Sequence, residues 1–321
     1  MIEIDGATGE SGGQIIRTAM TLSAITKKPV HIFNIRAGRP NPGLQAQHLT
    51  ACKAVRNICR GTLSHAEVGS TELTFEPGEI VGGKYEFDIG TAGSVTLVAQ
   101  TLLPILLFAN KASDITIIGG THVIKSPGYD YFERVFLKAI NKMNVKATAK
   151  IRKVGFYPKG GGEILLEVEP SKPKGVLEWE RDDHVEVIIR LAGLDNGIAI
   201  REKKIFVQND IEHVHIYQDD ALSAGNAITA WHGHCGSYSL GERGKRAEDV
   251  AQECLNELDN EREGDVDRHL ADQLLLYAAL ADGETRYRTS EITEHTKTNA
   301  EIIRKFIDRK IEIKENQIIV G

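Results

Sequence analysis

The sequence predicts an α/β protein made of repeats of one βαβαββ unit, with a small α/β unit inserted ahead of the last repeat. Three observations carry this reading. Short stretches of strand-like apolar residues alternate with longer ones at helical spacing, the same order of elements recurs between Ile2 and Val168, and residues 181 to 264 interrupt it.

The first unit has a strand over Ile2 to Asp5, a helix over Gly13 to Ile25, a strand over Val30 to Ile35, a helix over Gly43 to Cys59, and two strands ending near Phe75. The second has a strand over Tyr85 to Ile89, a helix over Ser94 to Ala109, a strand over Ile115 to Ile118, a helix over Tyr129 to Met143, and two strands around Ala147 to Val168. The third opens on a helix, Ala271 to Leu280, and continues as strand Thr285 to Arg288, helix Thr298 to Ile307 and a closing strand pair. Its absent first strand is assigned to Val176-Leu177-Glu178-Trp179, which makes residues 181 to 264 an insertion between that strand and its helix. The insertion has strands over Val185 to Leu191, Val214 to Tyr217 and Ala227 to Trp231 and a helix over Ala247 to Leu258, enough for a small domain. The expected domains are residues 1–180 with 265–321, and residues 181–264.

Composition narrows the function classes. At 321 residues with 41% hydrophobic and 26% charged side chains, the chain is an ordinary globular one, long enough for two domains. Its best apolar run, Leu102 to Ala109, is too short to span a bilayer, and Met1 leads straight into a strand pattern without a signal-peptide profile, so a cytoplasmic protein is expected. Cysteines 52, 59, 235 and 254 form no C-x-x-C pair and read as reduced thiols, Cys52 and Cys59 sharing one helical face in the core. A net charge of −6 argues against coating long nucleic acid, while an enzyme that grips a terminus needs only a local basic pocket.

Several residues carry candidate chemistry. In Lys153-Val154-Gly155-Phe156-Tyr157-Pro158-Lys159-Gly160-Gly161-Gly162-Glu163, three consecutive glycines are entropically costly and point to bare backbone close to something, or to a hairpin turn or bulge entering the next strand. His295 stands before the amphipathic stretch Ala300 to Ile307, near a helix N-terminus whose dipole disfavours imidazolium and attracts phosphate; it reads as a neutral nucleophile or as a capping histidine. Asp272 and Gln273 open a helix and by themselves are first-turn residues. Glu10, in a glycine-rich turn that is not a Walker motif, either caps free N–H groups or binds a divalent cation. Arg17, Arg36, Arg39, Gln47 and His48 gather on the first repeat, where guanidinium forks suit a terminal phosphate and ordinary solvated charge is the alternative. Gln100 reads as helix interior, and Pro127 and Tyr131 as a helix start. The pairs His213/His215 and His232/His234 with Cys235 share strand faces without completing a tetrahedral metal set.

The glycine-rich segment resembles the signature of the RNA 3′-terminal phosphate cyclase family, with Val154 where that family usually has a basic residue. The resemblance extends over nearly all of the chain outside 181 to 264 through Asp5 to Arg17, Ile35 to Leu44 with Gln47-His48-Leu49, Thr91 to Ser94, Ala271 to Gln273 and His295 to Asn299. It implies the enolpyruvyl-transferase-like architecture of three repeats plus an inserted domain. It also implies an ATP-dependent ligase that converts an RNA 3′-phosphate to a 2′,3′-cyclic phosphate through AMP linked covalently to His295. By the same likeness Glu10 serves a divalent cation, magnesium or manganese, and Gln100, Pro127, Tyr131, His269, Asp272 and Gln273 surround the nucleotide. His269 stands where some relatives stack an aromatic on adenine, and Arg17, Arg36, Arg39, Gln47 and His48 serve the RNA end and triphosphate. Two other readings stay open: a non-catalytic RNA-binding relative in ribosome assembly, which would lack the nucleophile, and an enolpyruvyl-transferase-like enzyme on architecture alone.

Overall fold

In the computed structural model, which describes residues 1–321, the first repeat folds as a sheet of order β1-β2-β4-β3 from β1 (Ile2–Asp5), β2 (Val30–Phe33), β3 (Thr62–Ser64) and β4 (Leu73–Glu76). The second repeats it in the order β5-β6-β8-β7 from β5 (Lys84–Asp88), β6 (Ser113–Gly119), β7 (Lys146–Lys153) and β8 (Gly162–Glu169). In each sheet the first two strands are parallel and the others antiparallel. A parallel pair requires a crossover, which α1 (Gly13–Thr26) and α3 (Val95–Leu106) supply. The second helix of each repeat, α2 (Ala46–Cys59) and α4 (129–142), leads into the antiparallel half, and α4 carries a π-helical stretch over Phe132–Leu137.

Residues between the second and third repeats build their own sheet, β10-β9-β11-β12, from β9 (Glu186–Ala192), β10 (Val214–Asp219), β11 (Gly225–His232) and β12 (Cys235–Leu240), flanked by α5 (Gly197–Gln208) and α6 (Ala247–Asn260). α5 and β12 were not expected. The side of α5 that faces inward includes the charged Glu202 beside Ala199 and Phe206, which blurs its apolar stripe. β12 pairs with β11 across the two-residue turn Gly233-His234, with Gly233 at φ +52°, a hairpin signal present in the sequence. This unit has an apolar core separate from the large one that runs through the three repeats.

The third repeat contains α7 (Arg268–Leu280), β13 (Thr285–Arg288), α8 (Glu294–Phe306), β14 (Ile311–Lys314) and β15 (Gln317–Val320), with the sheet order β13-β15-β14. Val176 to Trp179 is not a strand, contrary to expectation. The segment lies along the free edge of β13, where Arg286 N donates to Val176 O at 2.9 Å, but Trp179 turns its indole inward to donate to Arg286 O at 2.8 Å. That side-chain bond takes a backbone acceptor the ladder would have used. All four cysteines are buried free thiols, Cys52 and Cys59 both on the inner face of α2.

Candidate active site

Glycines allow the start of α1, the start of α8 and the second turn of α7 to meet. A Cβ on Gly9, at φ +53°, would collide with Thr298 Oγ1. One on Gly12 would stand 3.3 Å from Arg39 Nη2 and 3.6 Å from His295 Cε1, and one on Gly13 would collide with the His48 ring. The loop from Asp5 to Gly13 therefore lies directly against the nucleophile candidate.

Caps place the other two helices. Thr293 Oγ1 accepts from Thr296 N at 3.2 Å, so α8 begins at Glu294 rather than Thr298 and His295 lies inside its first turn. Asp267 Oδ1 accepts from the backbone N of His269 at 2.9 Å and of Leu270 at 2.8 Å, so α7 begins at Arg268. Asp272 and Gln273 thus sit in the second turn of α7, not the first as expected. Both cap residues were legible as helix-start signals.

His295 is held from one side by Gln14. Its Nδ1 lies 2.9 Å from Gln14 Oε1, while Gln14 Nε2 donates to Asp272 Oδ2. With its amide N–H directed to Asp272, Gln14 turns its amide oxygen toward Nδ1, and because an amide oxygen can only accept, Nδ1 carries the proton. The Nε2 lone pair is left outward, where Glu10 Oε2 stands 3.0 Å away and also meets Arg39 Nη2 at 3.3 Å. Asp272 acts on His295 through Gln14. Asn299 locks the frame, donating to Asp272 O at 2.8 Å and accepting from Thr18 Oγ1 at 2.8 Å. Gln14 was not singled out from the sequence; it is one of several buried polar side chains on the inner face of α1, with Thr18, Thr21 and Ser23, and nothing local distinguishes it from them.

Burial favours a neutral imidazole. Burial lowers the His295 pKa from its ordinary value; Glu10 opposes this, and Arg17, Arg39 and His269 reinforce it. The Asp272 carboxyl is pushed up to about 7 by burial, with His269 and Arg17 pulling the other way. Burial also lowers Arg17 to about 10, against the attraction of Asp272. Beside Gln14 and Asp272, a cavity of about 60 Å³ is bordered also by Arg17, Gln100, Gln273 and Asn299, with Phe136 and Tyr277.

The family model for RNA 3′-terminal phosphate cyclase matches residues 8–313. The chain belongs to the RNA 3′-terminal phosphate cyclase family. The RNA 3′-terminal phosphate cyclase of Archaeoglobus fulgidus is 44% identical over 100% of both chains. That of Sulfurisphaera tokodaii is 44% identical over 98% of this chain and 96% of its own, and that of Methanosarcina barkeri 39% over 99% and 98%. The family's ligase-type, ATP-dependent enzymes are thus what this chain is similar to along its whole length. The solved EPSP synthase of Acinetobacter baumannii aligns with 99% of this chain and 47% of its own at 12% identity and a TM-score of 0.44, too loose a likeness to add anything.

Seen as a cyclase-family site, the remaining residues divide. Gln100 Nε2 donates to Gln273 Oε1 at 2.6 Å, which joins α3 to α7 at the cavity. Tyr131 is buried, and its hydroxyl donates to both Asp267 carboxylate oxygens at 2.8 Å, so it braces the cap of α7. Pro127 O accepts from Thr96 Oγ1 at 2.7 Å. His269 is 57% exposed, and Glu257 at 3.5 Å raises its pKa. Arg36 donates to Asn41 O at 2.5 Å and Gly43 O at 2.9 Å, shaping its Gly/Pro-rich loop from within. Gln47 Oε1 accepts from Ser94 N at 2.9 Å. His48 is buried, its Nδ1 accepts from Gln45 N at 3.2 Å in a capping box, and burial with Arg17 and Arg36 pushes its pKa down to about 3. No group of three or more His, Cys, Asp or Glu is placed to hold a metal ion, and no helix is long and apolar enough to cross a membrane.

The glycine-rich segment connects β7 to β8. Gly160, at φ +65°, has its Cα so close to the loop of the second repeat that a Cβ would stand 2.8 Å from Ala92 Cα and 2.9 Å from Thr91 O. Both sequence readings meet here, since the segment is a hairpin connection and its bare backbone is closely approached.

Proposed function

We propose that this protein converts the 3′-terminal phosphate of RNA to a 2′,3′-cyclic phosphate at the expense of ATP, through AMP carried covalently on His295. The observation that carries the reading is the 2.9 Å bond from His295 Nδ1 to Gln14 Oε1, which keeps the Nε2 lone pair available for attack on phosphorus. Nε2 attacks the α-phosphorus of ATP and pyrophosphate leaves. An RNA 3′-phosphate oxygen then attacks the histidine-bound phosphorus, freeing His295. The neighbouring 2′-hydroxyl closes on the activated 3′-phosphate and AMP departs, a step that proximity in a five-membered ring accelerates.

Arg17 and Arg39, whose charge reaches His295, receive phosphate in this reading, together with the free N–H groups that open α1 and α8. Arg36, Gln47 and His48 shape the surrounding loops, and Gln100, Pro127, Tyr131, His269, Asp272 and Gln273 frame the nucleotide. A carboxylate 3.0 Å from an unprotonated nitrogen is a poor pair, and Glu10 with substrate phosphates matches how magnesium or manganese is held, so an ion there would neutralise phosphoryl charge. Residues 1–180 and 265–321 form the catalytic domain and 181–264 an inserted one, a division supported by the separate core of the latter.

Intact mass after incubation with ATP and magnesium, without RNA, tests the reading. An acid-labile AMP adduct is expected on the natural chain and not on His295→Ala. A folded natural chain without adduct would refute it.

A further inference from the structure

We infer that Tyr157 is a stacking platform for an RNA base upstream of the terminal nucleotide, with Lys153 and Lys159 of the same segment on the adjoining phosphates; this rests on the proposed RNA substrate. Tyr157 is 75% exposed at the tip of the glycine-rich loop, although Phe156 beside it is buried. The loop that presents it is tied on three sides. Phe156 packs on His122 with ring centroids 5.5 Å apart and occupies the space above Gly225, where a Cβ would strike its ring. Gly160 N donates to Phe156 O at 2.8 Å, Lys159 N donates to Ser223 Oγ at 3.1 Å, and Gly160 rests on Ala92. The aromatic face is therefore held for a partner that the protein itself does not provide.

The surroundings match a single nucleic-acid strand. A backbone bridge sets His122 beside Phe156 in parallel, and Leu222 packs against Gly161. Along β7, Lys150 is neutralised by Glu167 at 3.0 Å and Arg152 by Glu163 at 2.9 Å. Lys153 and Lys159, on either side of Tyr157 in the segment, have no such carboxylate partner, although the chain as a whole carries a net charge of −6. An exposed aromatic among unneutralised lysines is how single strands are bound without sequence preference. The tip and His295 lie on adjoining loops: Gly160 rests on Ala92, Gly93 and Ser94 meet Gln47, the neighbouring His48 meets Gly13, and Gly12 meets His295.

The test compares Tyr157→Ala, Tyr157→Trp and the natural chain on a 3′-phosphorylated RNA hexanucleotide and on the same strand made abasic upstream of its end. Melting temperature and RNA-free adenylation report that each variant is folded and loaded. Tyr157→Ala is expected to raise KM for the hexanucleotide about tenfold, Tyr157→Trp to restore it, and the abasic strand to erase the difference. Lys159→Ala is expected to reduce the salt slope of RNA binding by about 0.7. Cyclisation by Tyr157→Ala with an unchanged KM would overturn the platform and leave the proposed function standing. A natural chain that neither binds nor cyclises the hexanucleotide would overturn both.

Discussion

Replacing Gln14 by alanine removes two bonds at once: the acceptor of the His295 Nδ1 proton at 2.9 Å and the donor to Asp272. The first loss acts on rate. A neutral hydrogen bond contributes about 0.5–1.5 kcal/mol, so freeing the ring slows adenylation about 2- to 12-fold, if geometry alone is lost. The second loss acts on stability, because the Asp272 carboxyl is left without its amide donor in a buried place, at a cost of about 1–3 kcal/mol. Gln14→Glu keeps an acceptor but adds a carboxylate beside Nδ1–H, which favours imidazolium and raises the His295 pKa. Since attack requires the neutral ring, the acid limb of the adenylation rate is expected to move to higher pH, with activity recovering as pH rises. Single-turnover formation of the AMP adduct between pH 5 and 9, with chemical denaturation of each variant alongside, measures both effects. A folded Gln14→Ala protein adenylated at the natural rate, with an unmoved pH profile in Gln14→Glu, would refute the tautomer argument.

Glu202 is fully buried in the inserted unit, its Oε2 accepting from Asn226 at 3.1 Å and its Oε1 unpaired, and burial pushes its pKa from 4.5 up to about 7. A raised carboxyl favours the folded state below pH 4.5 and loses that advantage as pH rises through 7, at most about 3 kcal/mol, so Glu202→Gln should stabilise the protein at pH 8 in urea melts and flatten the dependence. Gly160→Ala puts a methyl against Ala92 backbone at φ +65° and is expected to cost at least about 2 kcal/mol, more than Gly161→Ala, whose methyl meets only the flexible Leu222 side chain. Arg190 joins the inserted unit to α4, with Nε 2.7 Å from Asp130 Oδ2 and Nη1 3.1 Å from Asp219; Arg190→Met should cost about 3 kcal/mol in thermal or urea unfolding, because it leaves the buried Asp130 with His122 Nε2 at 2.9 Å as its remaining partner, while adding Asp130→Asn should recover part of it. The natural chain itself should form the AMP adduct at a rate that is level above pH 7 and falls in acid, below the depressed pKa of His295.

The sequence alone determined the element order of the first two repeats and the family, because each rests on local periodicity and contiguous motifs. Helix starts were less secure: Thr293 and Asp267 cap through one side-chain oxygen each, and overlooking them misplaced His295 and Asp272 by one turn. The tertiary structure decided what lies between the motifs. Gln14 lies 258 residues from Asp272 and 281 from His295 along the chain, and their relay depends on the orientation of one amide that no spacing encodes. The same holds for Arg36, His48 and Tyr131, whose polar atoms are taken by Gly43, Gln45 and Asp267; a charge or a hydroxyl in a sequence does not reveal whether the fold has already given it a partner.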